Sequence, residues 1–138
     1  MKMSTPHLQL ELQPRRKVDE EDWVRVQVLL QTNGFRGDFE AWLQLTDLVR
    51  FRDEIEEMYD CVGEQRSAIL SSAEPDIDIR LESRRLGGIQ GSYRLESERL
   101  NGEPTAISGA FELDQSHLPS LQTSVDSLVW LLGGESTE

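Results

Sequence analysis

The chain carries two stripes of apolar residues that share one helical spacing, and a strand pattern precedes each stripe. The stripe within residues 35–62 advances in steps of three, four, three and four residues, and residues 107–132 repeat those steps. This spacing places a whole stripe on one face of a helix, and that face must be buried against other elements. The two stripes consist of Leu48, Phe51, Ile55, Met58 and Val62, and of Leu118, Leu121, Val125, Leu128 and Leu132. The sequence therefore predicts one strand-helix unit that is used twice.

Alternating apolar and polar residues predict a hairpin before the first helix. Residues 24–30 alternate up to Asn33-Gly34, a pair suited to a two-residue type I′ turn. This turn pairs Val28 with Phe39 and keeps the apolar residues of both strands on one face. Upstream, the alternation at residues 8–12 predicts an edge strand that is stopped by a proline at position 14.

A second hairpin is predicted between the strands that precede the second helix. A two-residue loop at Asn101-Gly102 would set Tyr93 opposite Ala110 and mix the apolar and polar faces. A three-residue loop avoids this mixture, so the sequence predicts that Tyr93 pairs with Phe111. The shorter segments 66–72 and 77–82 predict two further strands.

Residues suited to helix caps mark the ends of both predicted helices. The first helix is predicted to begin near Thr46 or Asp47 and to end near Gly63. The second is predicted to begin behind Asp114 or Ser116. Because strands joined as meanders alternate with two helices whose apolar faces must be buried, the predicted fold class is α+β. We expect an antiparallel sheet of about seven strands, strongly bent or split, with both helices on one face.

The chain is predicted to form a single domain over residues 1–138, with flexible tails at 1–7 and 133–138. Its length of 138 residues and hydrophobic content of 37% suffice for one core. An internal disulfide cannot form because Cys61 is the one cysteine of the sequence. The sequence pattern predicts neither a signal peptide nor a membrane-spanning segment. We expect a cytoplasmic protein without membrane contact.

The charge balance bears on the kind of partner. With 26 acidic and 14 basic residues, the net charge of −12 opposes binding to nucleic acid and favours a basic protein partner. An acidic balance can also serve solubility alone.

Candidate chemistry is sparse. Asp114, Ser116 and His117 are the residue types of a hydrolytic triad, but as neighbours at one helix start they are better interpreted as capping residues. With two histidines in the chain, a zinc site is not expected. The sequence predicts neither a cofactor nor a metal and no enzymatic activity. An enzymatic alternative would use the acids of the outer sheet face, namely Asp76, Asp78, Glu96 and Glu98.

An acidic run in the second half of the first helix opposes helix stability, because the carboxyl end of a helix already carries partial negative charge. Acids four residues apart on one helix also repel each other. A surface that serves solubility alone would more often mix its charges. We therefore expect this run to be a partner-binding surface, against the alternative of a solvated face. Its residues are Asp53, Glu54, Glu56, Glu57 and Asp60.

Several motifs together point to a family. They are Leu8-x-Leu10-x-Leu12-x-Pro14, Gly34-Phe35-x-Gly37-x-Phe39, Asp47-Leu48-x-x-Phe51, and Phe111-x-Leu113-Asp114-Gln115-Ser116-His117-Leu118-Pro119-x-Leu121, of which the last is the most distinctive. Through them the chain resembles the WapI-type immunity proteins. These are small cytoplasmic bacterial proteins that neutralise the toxic C-terminal domain of a cognate polymorphic toxin.

The resemblance implies a protein that binds a cognate toxin domain by protein-protein contact and carries out no catalysis. The family's matching residues are turn glycines, core aromatics and a helix cap, so the interface is predicted from charge. A basic nuclease is one toxin that an acidic partner would suit. The alternative is a small-ligand-binding or regulatory module with a cavity between the half-sheets. The sequence predicts no oligomeric state.

Overall fold

Two antiparallel sheets of four strands and two helices form the molecule, as described by a computed structural model for residues 1–72, 76–97 and 103–133. The first half comprises β1 (Lys2–Thr5), β2 (Leu8–Arg16), β3 (Trp23–Thr32), β4 (Phe35–Gln44) and α1 (Leu45–Asp60). The second half comprises β5 (Ser67–Ser71), β6 (Ile77–Ser83), β7 (Gly88–Glu96), β8 (Ala106–Asp114), a 3-10 turn (Gln115–His117) and α2 (Leu118–Leu131). Each sheet keeps its strands in sequence order. The predicted α+β class with a split antiparallel sheet is confirmed, with eight strands in the described residues rather than about seven.

The extra strand lies in the segment that was predicted to be a flexible tail. Residues 2–5 form β1, and the side chain of Met3 is buried opposite Leu10. A four-residue strand has too short an alternation to stand out in a sequence. Because β1 covers it, β2 is an inner strand and not the predicted edge strand. Nor does β2 stop at Pro14, because a register shift between Pro14 and Arg16 accommodates the proline in a bulge.

The hairpin of β3 and β4 has the predicted register. Val28 pairs with Phe39 across a turn in which Asn33 and Gly34 have φ angles of 44° and 85°. Positive φ at both central residues is what a two-residue type I′ turn requires. The apolar residues of both strands therefore share one face, as expected.

The register of β7 and β8 differs from the prediction by two residues. Tyr93 pairs with Gly109, and Phe111 pairs with Gly91. A Cβ atom on Gly91 would lie 2.2 Å from the ring of Phe111, and one on Gly109 would lie 2.5 Å from Oη of Tyr93. Each ring thus occupies the space above a glycine on the neighbouring strand. The two rings are diagonal neighbours whose centroids lie 6.3 Å apart. The apolar faces still match, but the predicted pairing of Tyr93 with Phe111 is wrong; residues 98–102, which would show the loop length, lie outside the described part.

The start of α1 is fixed partly from outside the helix. The helix begins at Leu45, one or two residues before the predicted cap. Asp22 accepts hydrogen bonds from the amide and the hydroxyl of Thr46 at 3.1 and 2.8 Å. Asp47 accepts a hydrogen bond from the amide of Gln44 at 3.1 Å. These carboxylates satisfy amides that the first turn leaves free.

Both helical stripes are buried in one core that includes the inward residues of both sheets. Val62 is the exception to the prediction, because α1 ends at Asp60 and the Val62 side chain is 59% exposed. The helices also meet each other, and Arg52 of α1 forms an ion pair with Asp126 of α2 at 3.1 Å. These side chains are 9% and 11% exposed, so the ion pair lies almost out of solvent.

The predicted strand-helix repeat is confirmed and extends to four strands and a helix in each half. A similar hydrogen bond in each half shows how closely the two halves correspond. Glu54 of α1 accepts a bond from the amide of Ile69 in β5 at 3.0 Å, and Ser124 of α2 accepts one from the amide of Lys2 in β1 at 3.1 Å. Glu54 lies six residues after Leu48, and Ser124 lies six residues after Leu118. Each helix thus contacts the first strand of a sheet through the same helical position.

Candidate partner-binding surface

The outward side of α1 carries the acidic run. Since Leu48, Phe51, Ile55 and Met58 are fully buried, the residues between them face away from the core. Asp53, Glu56, Glu57 and Asp60 are exposed, and the last turn of α1 contains no basic residue. The structure therefore places four of the five predicted residues on one solvent-accessible side of the helix.

Glu54 has a different position and a structural contact. It is half-buried, and its carboxylate binds the amide of Ile69 on the outer side of β5. This bond satisfies an amide that a first strand leaves unpaired. Long-range contacts of this kind have no signal in the sequence, which shows Glu54 as one acid among five.

Two of the exposed acids are partly neutralised by arginines. Asp53 lies 3.2 Å from the guanidinium of Arg52. Glu57 lies 2.6 Å from Arg66, which also binds Glu64 at 2.8 Å. The pKa of Arg66 is raised, chiefly by its hydrogen bond with Glu64. Arg66 thereby connects the end of α1 with the segment that leads into β5.

Glu56 and Asp60 form no ion pair within the described ranges. Tyr59, which is 44% exposed, lies beside them on the helix surface, and Val62 lies just beyond the end of α1. We call Glu56, Tyr59, Asp60 and Val62 the acidic patch. Large exposed aromatic side chains are enriched at the energetic centres of protein interfaces. Tyr59 was not predicted as a candidate, although its position directly after the stripe residue Met58 already places it outside the buried stripe.

An open groove runs along the amino-terminal half of the same helix. Its volume is about 490 Å³, and its lining includes Val49, Arg50, Asp53 and Glu57 of α1 with Asp22 from the loop before β3. The groove therefore extends the acidic surface towards the start of α1, with Arg50, which pairs with Asp47, as a basic group in its lining. A convex helix side next to a concavity offers a partner more contact area than a flat face.

The neighbours at the start of α2 act as a cap. Asp114 accepts hydrogen bonds from the amide of Ser116 at 2.9 Å and from its hydroxyl, and it lies 3.1 Å from Nδ1 of His117. The pKa of Asp114 is lowered, first by the Ser116 hydroxyl and then by the Ser116 amide. Ser116 and His117 both turn to the carboxylate and not to each other. Asp114 therefore caps the 3-10 turn that leads into α2, whereas the sequence predicted a cap of the helix itself; the N-cap residue of α2 is His117.

The acids of the outer sheet face form surface ion pairs. Asp78 lies 2.9 Å from Arg80, and Glu96 lies 2.8 Å from Arg94. Of the other two residues in the enzymatic alternative, Asp76 also has an interaction partner and Glu98 lies outside the described residues. Over the ranges that the structure describes, no three His, Cys, Asp or Glu side chains are grouped to hold a metal. No helix of those ranges is long and apolar enough to cross a membrane.

A second groove, of about 730 Å³, lies where β1, the end of β8 and the start of α2 meet. Its lining includes Met3 and Leu113, with Ser116, His117 and Ser124 as polar groups. These polar groups already bond to the Asp114 carboxylate or to the Lys2 amide. The groove marks the place where a ligand between the sheets would bind if the ligand-binding alternative held.

The fold is a small α+β domain, and the outward side of its first helix is acidic. The chain belongs to the WapI-like immunity protein family, whose profile matches residues 3–129. The predicted family resemblance is thereby confirmed. Comparison with curated proteins gives no match. Among solved structures, the chain is similar to a protein of unknown function from Prochlorococcus sp. NATL2A, with 9% identity, coverage of 92% of this chain and 97% of that one, and a TM-score of 0.41.

Proposed function

We propose that this protein is a cytoplasmic, non-catalytic immunity protein that neutralises a cognate toxin domain, and that the outward side of α1 binds the toxin. Family membership supports the general role. The observation that carries the choice of surface is that Glu56 and Asp60 form no ion pair with any described residue and lie beside exposed Tyr59.

The electrostatics of this helix end favour an external cation. The carboxyl end of a helix carries partial negative charge, so acids placed there cost stability. Glu56 and Asp60 lie four residues apart, a spacing at which like charges repel by about 0.2–0.5 kcal/mol. A lysine or arginine of a partner would remove this repulsion on binding. Tyr59 would supply apolar contact area beside the two carboxylates.

A basic nuclease domain is the kind of toxin that these charges suit best. Its substrate groove must attract phosphates, and the same basic residues would attract a protein of net charge −12. Opposite charges accelerate the encounter of two proteins and fix their orientation. Rapid binding would serve immunity, because the toxin must be blocked before it acts.

The test compares two double variants with equal charge changes. Glu56→Gln with Asp60→Asn removes the two acids of the acidic patch, whereas Glu20→Gln with Glu21→Gln removes two exposed acids from the loop before β3. Binding is measured by surface plasmon resonance against the isolated toxin domain of the cognate toxin. We expect the first variant to lower the association rate about tenfold at low salt, and the control to change it far less.

The salt dependence provides a second readout. Wild-type association should slow as salt rises, because screening weakens steering between exposed charges. The acidic-patch variant should show a smaller salt effect than the control variant. Equal binding by both variants, or loss of binding by the control alone, would exclude α1 as the toxin-facing surface while leaving the immunity role open.

A further inference from the structure

The four outer strand edges of the two sheets differ in how they are protected from pairing with another chain. Unpaired backbone groups on an outer strand are a template for intermolecular pairing unless they are covered or carry charges. The edge of β1 is met by Ser124 of α2, and the edge of β5 is met by Glu54 of α1. The edge of β4 carries charged side chains at Arg36, Asp38 and Glu40. The fourth outer edge is that of β8.

The backbone of β8 presents its hydrogen-bonding groups outwards at even-numbered residues. The amide of Ser97 donates to the carbonyl of Thr105 at 2.9 Å, so these residues form a hydrogen-bonded pair. Such pairs recur at every second residue of an antiparallel ladder. Odd-numbered residues of β8 therefore bond to β7, while Ala106, Ser108 and Ala110 direct their amides and carbonyls away from it. These three residues are exposed, and no group in the described part of the chain hydrogen-bonds to these amides and carbonyls.

The same edge lacks the charged residues that protect β4. Residues 104–111 contain no charged side chain, whereas Glu112 and Asp114 follow at the far end of the strand. The far end is also where the described part of β8 comes close to β1, in the groove that Met3 and Leu113 line. The uncharged half of the edge is thus the accessible half.

We infer that β8 pairs with β8 of a second copy of this chain, antiparallel and centred on Ser108, so that two four-stranded sheets join into one. In this register Ser108 faces Ser108, and Ala106 faces Ala110 of the second copy. Each of these three facing pairs can form two backbone hydrogen bonds, about six in all. The small side chains leave the approach of the two backbones open.

The charges of the strand fit this partner. In the same register Glu112 faces Pro104 of the second copy, so the acids of the two strands are not opposite each other. Pro104 has no amide hydrogen and ends the ladder there. Like charges directly opposite would destabilise a strand pair, and this register avoids them. The strand is therefore complementary to itself.

The dimer is a weak one because a single pair of strands buries less area than a standard interface. Each copy carries a net charge of −12, so the copies repel each other at long range. Added salt screens this repulsion and should strengthen the dimer, whereas it should weaken binding to a basic toxin. Dimerisation and toxin binding therefore respond to salt in opposite directions. Because the dimer is measured without toxin, its failure would leave the proposed function untouched.

Sedimentation velocity of the purified chain, over about a hundredfold range of concentration, tests the inference. Wild-type protein should shift from monomer towards dimer. Ser108→Lys should remain monomeric, since a lysine at the edge blocks strand pairing. Ser92→Lys is the matched control, because Ser92 is exposed on the inner strand β7, opposite Ala110 in the same sheet. It should dimerise like the wild type.

Disulfide trapping tests the register. In a Cys61→Ser background, Ser108→Cys should form a covalent dimer on mild oxidation, because facing Cα atoms in a hydrogen-bonded pair lie about 5.5 Å apart, within disulfide reach. Ser92→Cys should not. Purely monomeric wild-type protein at every concentration, or equal trapping of the two cysteine variants, would overturn the inference.

Discussion

Gly91→Ala should destabilise the protein because a methyl group at this position has no room. Its carbon would lie 2.2 Å from two ring carbons of Phe111, well inside a normal contact of about 3.5–4.0 Å. The ring would have to move by about 1.5 Å, and its stacking with Tyr93 restricts that movement. Overpacking of this kind costs about 1–3 kcal/mol, offset by about 0.5–1 kcal/mol because alanine is less flexible than glycine.

The expected net loss is about 1–2 kcal/mol of unfolding free energy. For a chain of 138 residues, this corresponds to a fall in melting temperature of about 3–7 °C. Thermal unfolding followed by circular dichroism measures it. Gly88→Ala is the matched control in the same strand, since a Cβ atom there meets nothing within 4 Å. The control should be neutral or slightly stabilising.

A second substitution shows whether the ring is the cause. In a Gly91→Ala background, Phe111→Leu should cost less than it does alone, because the smaller side chain makes room for the methyl group. The coupling between the two sites should be about 0.5–3 kcal/mol. Strictly additive effects, or equal melting temperatures for Gly91→Ala and Gly88→Ala, would refute the account of how the register of β7 and β8 is set.

Other substitutions test the helices and their caps. Asp126→Ala should lower the unfolding free energy in urea by about 2–4 kcal/mol, since it removes the carboxylate that lies 3.1 Å from the buried Arg52 guanidinium; a loss below about 1 kcal/mol would contradict this. Because folding lowers the pKa of Asp114, its ionised carboxylate stabilises the fold at pH values above its ordinary pKa of 3.8. This contribution is lost as the pH falls through the lower pKa of the folded state. Asp114→Asn keeps a cap without the charge, so its melting temperature should fall below that of wild type near pH 6 and converge with it in acid; a constant difference would argue against the charge. Glu56→Gln with Asp60→Asn should raise the melting temperature by about 1–2 °C by relieving repulsion, and a decrease would show that these acids stabilise the helix.

The first hairpin could be predicted from sequence because its register is determined locally. Asn33 and Gly34 define the turn, and the alternation on both sides of it agrees with the resulting pairing of Val28 with Phe39. A two-residue turn leaves no freedom to slide. Local chemistry and the apolar pattern therefore lead to the same answer, which the structure confirms.

For the second hairpin, the sequence predicts which residues face the core but not the register of the two strands. Alternation requires that odd residues of β7 pair with odd residues of β8, and it does not distinguish pairings that differ by two residues. Gly91 and Gly109 hold the missing information, because a glycine within a strand marks a close approach by another group. Pairing each glycine with an aromatic residue would have predicted Gly91 with Phe111 and Tyr93 with Gly109.

The acidic run on α1 was visible in the sequence, but the different roles of its members were not. Glu54 is bound to the amide of Ile69, and Glu57 to Arg66, through contacts that only the folded chain creates. Burial also separates Tyr59 from Met58, its neighbour in the chain. Helical periodicity shows which side of a helix is outward, whereas tertiary contacts decide which outward residues are free to bind a partner.

The repeated architecture gives an internal comparison for the acids of α1. Alignment of the two apolar stripes makes Glu57 equivalent to Ser127, and Asp60 equivalent to Trp130. The second helix buries its stripe and meets its strand edge without acids at these positions. The requirements of the shared fold can therefore be met by a serine and a 63% exposed tryptophan. Folding therefore does not demand Glu57 and Asp60, whereas Glu56 is equivalent to Asp126, an acid that pairs with Arg52. Because the helix dipole also opposes Asp60 at the end of α1, we look for its effect at the surface, where under the proposed function a neutral replacement should weaken toxin binding while the fold is kept.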